Sequence, residues 1–283
     1  MRLARRTAIA VLAAAGAVMA QEQPPSPPRA PDQYPSGLQM PPEIVPGQAA
    51  PQRRPGASGE WIAEWDDLWK RRGDPAAVTR LEQIIDDHLG EDPDGFETNW
   101  RQASLVAWEA DGEPDGSEQK AAKGKVAWEA GDKAIRANQN DVRGHYYAGV
   151  GVGLYSEGVG ILTALSQGLE GKFRERLLAA LRLNKDYLDG APQVVWGRYF
   201  YKLPWPKRDL DESIKVLRAA VRTHPNNLRA KLYLADSLIL TQLEDDGDEA
   251  RRLIDQILTA QGGRDPPEEA RIRQRALSWK QKH

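Results

Sequence analysis

Residues 196–225 read WGRYFYKLPWPKRDLDESIKVLRAAVRTHP, and the spacing of small and large side chains in them decides the fold. Trp196, Gly197 and Phe200 fall on one face of a first helix, and Ser213, Leu217 and Ala220 on one face of a second, because positions three and four apart stack along a helix. Each helix offers a small residue where its partner carries a large one, so two antiparallel helices can approach closely. Pro225, five residues past Ala220, then stops the second helix, since proline has no amide to donate and restricts the residue before it. The unit is a helical hairpin.

The same grammar recurs on both sides, which makes an internal repeat the first architectural expectation. Downstream, Leu234, Ala235 and Leu238 lead to Ala250, Ile254 and Ile257. Upstream, Phe173, Leu177 and Ala180 run to Lys185, and Ala127, Gly131 and Ala134 run to Gln139, each standing where proline is expected. This is the tetratricopeptide (TPR) pattern in degenerate form. Near the start, Trp61, Trp65, Leu68 and Trp69 make one helical stripe, read as core, and Asp74-Pro75 opens the next helix as N-cap and first position. No alternating strand pattern appears. The expectation is an all-α, TPR-like helical-hairpin solenoid with pairs at 60–90, 97–138, 143–184, 191–223 and 228–260. A final charged helix from Pro267 to Lys282 serves as the polar cap a solenoid needs.

Composition limits the functional classes. A basic n-region (Arg2, Arg5, Arg6), an apolar run from Ala8 to Val18 and Val18-Met19-Ala20 form an export signal cleaved after Ala20, which places the protein in the periplasm. Its removal takes the formal net charge from −2 to about −5, and an exported acidic chain does not suit nucleic acid. Residues 21–59 hold eleven of the twenty prolines and read as an extended tether before a helical domain at 60–283. With no cysteine, disulfides, thiolate metal sites and cysteine nucleophiles are excluded.

Chemistry-bearing motifs fail one by one. Asp111, Glu113, Asp115, Gly116 and Ser117 imitate half of a calcium loop, but Ala122 stands at the twelfth position, so a solvated turn is the better reading. Gly151-x-Gly153-x-x-Ser156 lacks its last glycine and a preceding strand, and Gly171-Lys172 is followed by Phe173 instead of a hydroxyl. The four histidines are dispersed, and no nucleophile elbow exists. The chain is read as non-enzymatic, with no catalytic residue, metal or cofactor.

What stands out is Gly144–Leu169, 26 residues with one formal charge, Glu157, and glycines at 144, 149, 151, 153, 158, 160 and 168. Glycine lowers helix propensity, so the segment is read as an elaborated repeat loop, with a bend or break before the second helix begins near Lys172. Three readings stay open: tight packing inside the solenoid, an oligomer contact, or small residues leaving room for an apolar cavity. The long connection Tyr201–Asp209 adjoins it and is expected to meet it in space. On the cavity reading, the ligand-binding residues are Tyr146, Tyr147, Gly151, Leu154, Tyr155, Ile161 and Leu165, with Trp196, Tyr199, Phe200 and Trp205 from the neighbouring segment.

Four strings carry a family likeness: Asn140-Asp141-Val142-Arg143-Gly144-His145-Tyr146-Tyr147 with Gly153-Leu154-Tyr155; Gly171-Lys172-Phe173; Gly197 through Pro206, with Lys202-Leu203-Pro204-Trp205-Pro206; and Asn226 through Ala235, with Asn227-Leu228-Arg229-Ala230. Over about Trp100 to Leu258 the chain resembles the T-component family of TRAP-type transporters. The resemblance implies a periplasmic all-helical protein of degenerate TPR-like repeats. Such a protein would form a homo-oligomer, associate with a TRAP-type substrate-binding protein and hold a hydrophobic small molecule in a pore. Members are often lipoproteins, whereas this chain has no cysteine to carry a lipid. The alternative is a general TPR module that grips another envelope protein and takes no small-molecule ligand.

Overall fold

The computed structural model describes residues 59–283. The expected export signal and the proline-rich tether up to residue 58 lie outside the described residues. Among the described residues there are twelve helices and no strand: α1 (Glu60–Trp69), α2 (Pro75–Glu91), α3 (Phe96–Gly112), α4 (Glu118–Ala137), α5 (Val142–Val159), α6 (Ile161–Ser166), α7 (Leu169–Asn184), α8 (Tyr187–Lys202), α9 (Leu210–Thr223), α10 (Leu228–Ile239), α11 (Glu244–Thr259) and α12 (Pro266–Lys282). Successive helices pack as pairs: α1 on α2, α3 on α4, α5 on α7, α8 on α9 and α10 on α11, with α12 against the last pair. None is long and apolar enough to cross a membrane.

Local chemistry accounts for the helix ends. The side chains of Asp74, Ser117, Asp141, Asp209, Asn227 and Asp265 each accept from a backbone amide in the first turn of the helix they precede. Small-against-large packing is visible at the deciding hairpin. A Cβ on Gly197 would lie 2.6 Å from Leu217 Cγ, so Leu217 occupies the space that glycine leaves. Ser213 donates to the Gly197 carbonyl at 2.9 Å, and Ser213, Leu217 and Ala220 are fully buried. The tryptophan stripe is core, as its spacing predicts: Trp61, Trp65 and Leu68 are buried with Leu81 and Trp100. The Arg101 guanidinium lies over the rings of Trp61, Trp65 and Trp100 at 5.3, 5.2 and 4.3 Å.

The glycine-rich segment departs from expectation. It is no elaborated loop: α5 runs unbroken through Gly144, Gly149, Gly151, Gly153 and Gly158, and the chain turns only at Gly160, with φ 89°. The second helix starts at Leu169, after Gly168 in the left-handed region, and α6 is a short helix between these two glycines. The reason is close approach to α4. A Cβ on Gly151 would sit 2.3 Å from the Trp128 amide nitrogen, and one on Gly158 would sit 2.3 Å from that of Ala121. From the other side, a Cβ on Gly124 or Gly131 would sit 2.4 Å from the Tyr155 amide nitrogen or 2.5 Å from that of Ala148. Tertiary contact thus overrides the weak helix propensity of glycine.

A candidate ligand-binding cavity

The first helix of each later pair, α3, α5, α8 and α10, and the start of α12 face inward around a cavity of about 1420 Å³. One wall is apolar and aromatic. On α5, Tyr146 meets Tyr147 edge to face at 5.0 Å, and Tyr187 meets Tyr146 at 5.5 Å. On α7 and α8, Phe173 stacks on Tyr199 at 5.3 Å. The inward face of α6 adds Ile161, Ala164 and Leu165. Burial pushes the phenols of Tyr146, Tyr147 and Tyr187 well above their ordinary value, so they stay protonated and can donate hydrogen bonds.

The opposite wall is ionic. Asp111, at the end of α3, receives Arg229 from α10 at 2.8 Å and Arg271 and Arg275 from α12 at 3.3 and 3.1 Å. Arg229 also holds Glu268 at 2.6 and 3.0 Å and donates to the Tyr233 hydroxyl at 2.9 Å. Burial alone would raise the Asp111 carboxyl, but the three guanidiniums outweigh it and hold the group well below the usual carboxylate range. Nearby, Arg72 after α1 donates through one nitrogen, Nη2, to both carboxylate oxygens of Asp265, the N-cap of α12, at 2.7 and 2.6 Å. Arg72 and Arg271 both lie over Trp108, at 4.5 and 3.2 Å. The first pairs and the last helix are thereby joined.

Six of the sequence-expected residues line this cavity: Tyr146, Tyr147, Leu154, Ile161, Leu165 and Tyr199. Five do not. Gly151 is spent on contact with the α4 backbone, and Tyr155 packs beside Trp128 at 6.2 Å. Trp196 is 4% exposed in the core formed with Phe173 and Leu177, stacked on Tyr199, and Phe200 packs edge to face against it. Trp205 is 71% exposed on the loop after α8 and does not line the cavity. The stretch Tyr201–Asp209 does meet the glycine-rich segment, as expected: Lys202 pairs with Glu157 at 2.9 Å.

Sequence reasoning missed the ionic wall. Asp111, assigned to a solvated turn, is a half-buried hub of three arginines. The terminal helix packs on α10 and α11 through Ile272, Ala276 and Trp279, but its Glu268 lines the cavity and its Arg271 and Arg275 reach Asp111. Their spacing of three and four, which marks one helix face, was the available signal. Among the described residues, no group of three or more His, Cys, Asp or Glu is arranged to hold a metal ion. No protein-family model matches the chain, and no curated protein matches it.

Proposed function

We propose that this protein is a non-enzymatic, periplasmic, TPR-like solenoid of the TRAP transporter T-component type whose inner cavity holds a hydrophobic small molecule. The observation that carries the reading is the cavity of about 1420 Å³, one wall of which is built from tyrosines, Phe173 and the aliphatic face of α6. Sites of this kind hold small molecules through apolar contact and are oriented by a few polar groups, a role suited to the protonated tyrosines. The ion pairs of Asp111 and Arg72 join the first pairs to the last helix beside the cavity, which favours a compact small molecule over the extended peptide that a continuous TPR groove would grip. The family resemblance names the partner class, a TRAP-type substrate-binding protein or another envelope protein, and suggests a homo-oligomer.

The test is extraction of the purified protein with organic solvent and mass spectrometry of what it carried, with titration of the fluorescent apolar probe N-phenyl-1-naphthylamine alongside. Leu165→Asp puts a carboxylate on the half-buried inner face of α6 without disturbing the main core. It is expected to weaken probe binding by at least ~10-fold, the factor that corresponds to ~1.4 kcal/mol, while the circular dichroism spectrum is unchanged. Unchanged probe affinity in a folded Leu165→Asp protein, with no extractable ligand from the wild type, would remove the basis for the reading.

A further inference from the structure

Among the described residues, every cavity-lining residue that is exposed to solvent belongs to one of three stretches: 184–188 between α7 and α8, 225–226 between α9 and α10, and 256–264 at the end of α11 and before α12. Each leads from the second helix of one pair to the element that follows. The other lining residues are half-buried or buried, so these three connections form the mouth of the cavity.

The first connection is wound in the left-handed sense. Leu188, Asp189 and Gly190 have φ of 48°, 55° and 81° and ψ of 52°, 46° and 18°, and the right-handed course of α8 resumes only after them. The Gly190 amide closes this turn on the Asp186 carbonyl at 3.3 Å. Glycine adopts the region freely, but a leucine Cβ crowds the following carbonyl there, and L-residues visit it singly and not in runs. The two other rim stretches hold the turn in place. The Asn227 side chain donates to the Asp189 carbonyl at 2.9 Å, Arg264 pairs with the Asp189 carboxylate at 2.8 Å, and His224 Nε2 lies 3.0 Å from Asp186 Oδ1. Leu188, in the middle of the turn, lines the cavity and is still 53% exposed. Backbone strain that neighbouring contacts sustain is characteristic of switch segments.

We propose that residues 186–190 are a latch on the cavity mouth: in the conformation seen they are held against the other two rim stretches, and when those contacts release, the turn unwinds, withdraws Leu188 and widens the passage for a ligand. Relief of the left-handed strain favours the open form, and the contacts to Asn227, Arg264 and His224 favour the closed one. Arg264 is 85% exposed in its pair with Asp189, so that contact is weak and its loss raises the open population without touching the core. The inference rests on the cavity reading, since it says how that site is entered.

Because the chain has no cysteine, Val150→Cys in the full-length protein places a single thiol on the α5 wall of the cavity. Its rate of reaction with fluorescein maleimide reads passage through the mouth with no ligand present. Adding Arg264→Ala is expected to raise that rate ~2- to 5-fold, the factor an exposed ion pair corresponds to. Adding Leu188→Asn is expected to lower it at least ~2-fold, because asparagine accepts the left-handed region far better than leucine. Arg80→Ala, which breaks an exposed pair with Glu64 away from the cavity, should leave the rate unchanged. Stopped-flow binding of N-phenyl-1-naphthylamine is the second readout: in Arg264→Ala, association and dissociation should quicken by one common factor while Kd stays the same, as a gate requires. Equal thiol rates in Val150→Cys alone and with Arg264→Ala or Leu188→Asn overturn the latch, and so does a thiol that already reacts as fast in the folded protein as in denaturant. If the thiol responds as expected but no probe binds, the latch stands and the ligand reading falls. If the probe binds and neither variant alters the thiol rate or the probe kinetics, the ligand reading stands and the latch falls.

Discussion

Replacing Asp111 with alanine is expected to cost about 2–3 kcal/mol of stability, below the range for breaking a fully buried pair from one side because this cluster is half-buried. The substitution leaves Arg229, Arg271 and Arg275 around a site with no carboxylate of its own, although Glu268 still holds Arg229. In a domain of this size that corresponds to a fall in Tm of about 4–12 °C. Asp111→Asn, which keeps the shape and removes the charge, is expected to show most of the loss. Asp67→Ala, which breaks an exposed pair with Arg71, should cost no more than about 1 kcal/mol. Equal melting temperatures for the Asp67 and Asp111 variants would show that the cluster does not hold the array closed.

The same cluster sets a pH dependence with a definite sign. The folded-state pKa of Asp111 lies below its unfolded value, so its contribution is fully present above about pH 5 and drains away as pH falls through about 4 and below. Asp115, which hydrogen bonds from Lys120 and Lys202 hold down to about 2 against the effect of burial, acts in the same direction. The difference in unfolding free energy between wild type and Asp111→Asn isolates the first group. It should be large at neutral pH and shrink toward zero in acid.

The second large effect lies in the pairing of α4 and α5. Gly151→Val is expected to destabilise by about 3 kcal/mol or more, at the upper end for overpacking. The new Cβ would stand 2.3 Å from the Trp128 amide nitrogen, and a backbone cannot rotate away as a side chain can. Gly171→Ala, in α7, should do the reverse. A Cβ there meets nothing within 4 Å, so it gains about 0.4–1 kcal/mol by restricting the unfolded chain. Denaturant unfolding of the two variants gives the comparison, and a Gly151→Val protein as stable as the wild type would mean that α4 and α5 are not in such close contact.

These two glycines mark the limit of what was legible in one dimension. Gly151 and Gly171 look alike in the sequence, and glycine-rich composition pointed to a loop. The difference is contact with α4, which local propensity does not contain. Leu217, by contrast, was assigned correctly to a face opposite Gly197, because both ends of that contact follow from spacing within two neighbouring helices. Trp196 and Phe200 were expected at the ligand and went to the core, since periodicity places a large residue on a buried face without saying whether that face meets another helix or a cavity. Trp205 shares their segment but lies beyond the end of α8, where helical periodicity no longer assigns a face.

By itself the sequence determined the all-α class, the consecutive helix pairs and the Asp74 cap, because those depend on interactions within a turn or between neighbours along the chain. It also marked Gly144–Leu169 as unusual, and of the eleven ligand-binding residues expected there and in the neighbouring segment, Tyr146, Tyr147, Leu154, Ile161, Leu165 and Tyr199 line the cavity while the other five do not. Only the tertiary structure decided that Asp111 would meet Arg229, 118 residues away, and Arg271, 160 residues away. That meeting joins helices far apart in the chain, and no spacing within a turn or between neighbouring helices encodes it. It sets the last helix against the end of α3, beside the cavity.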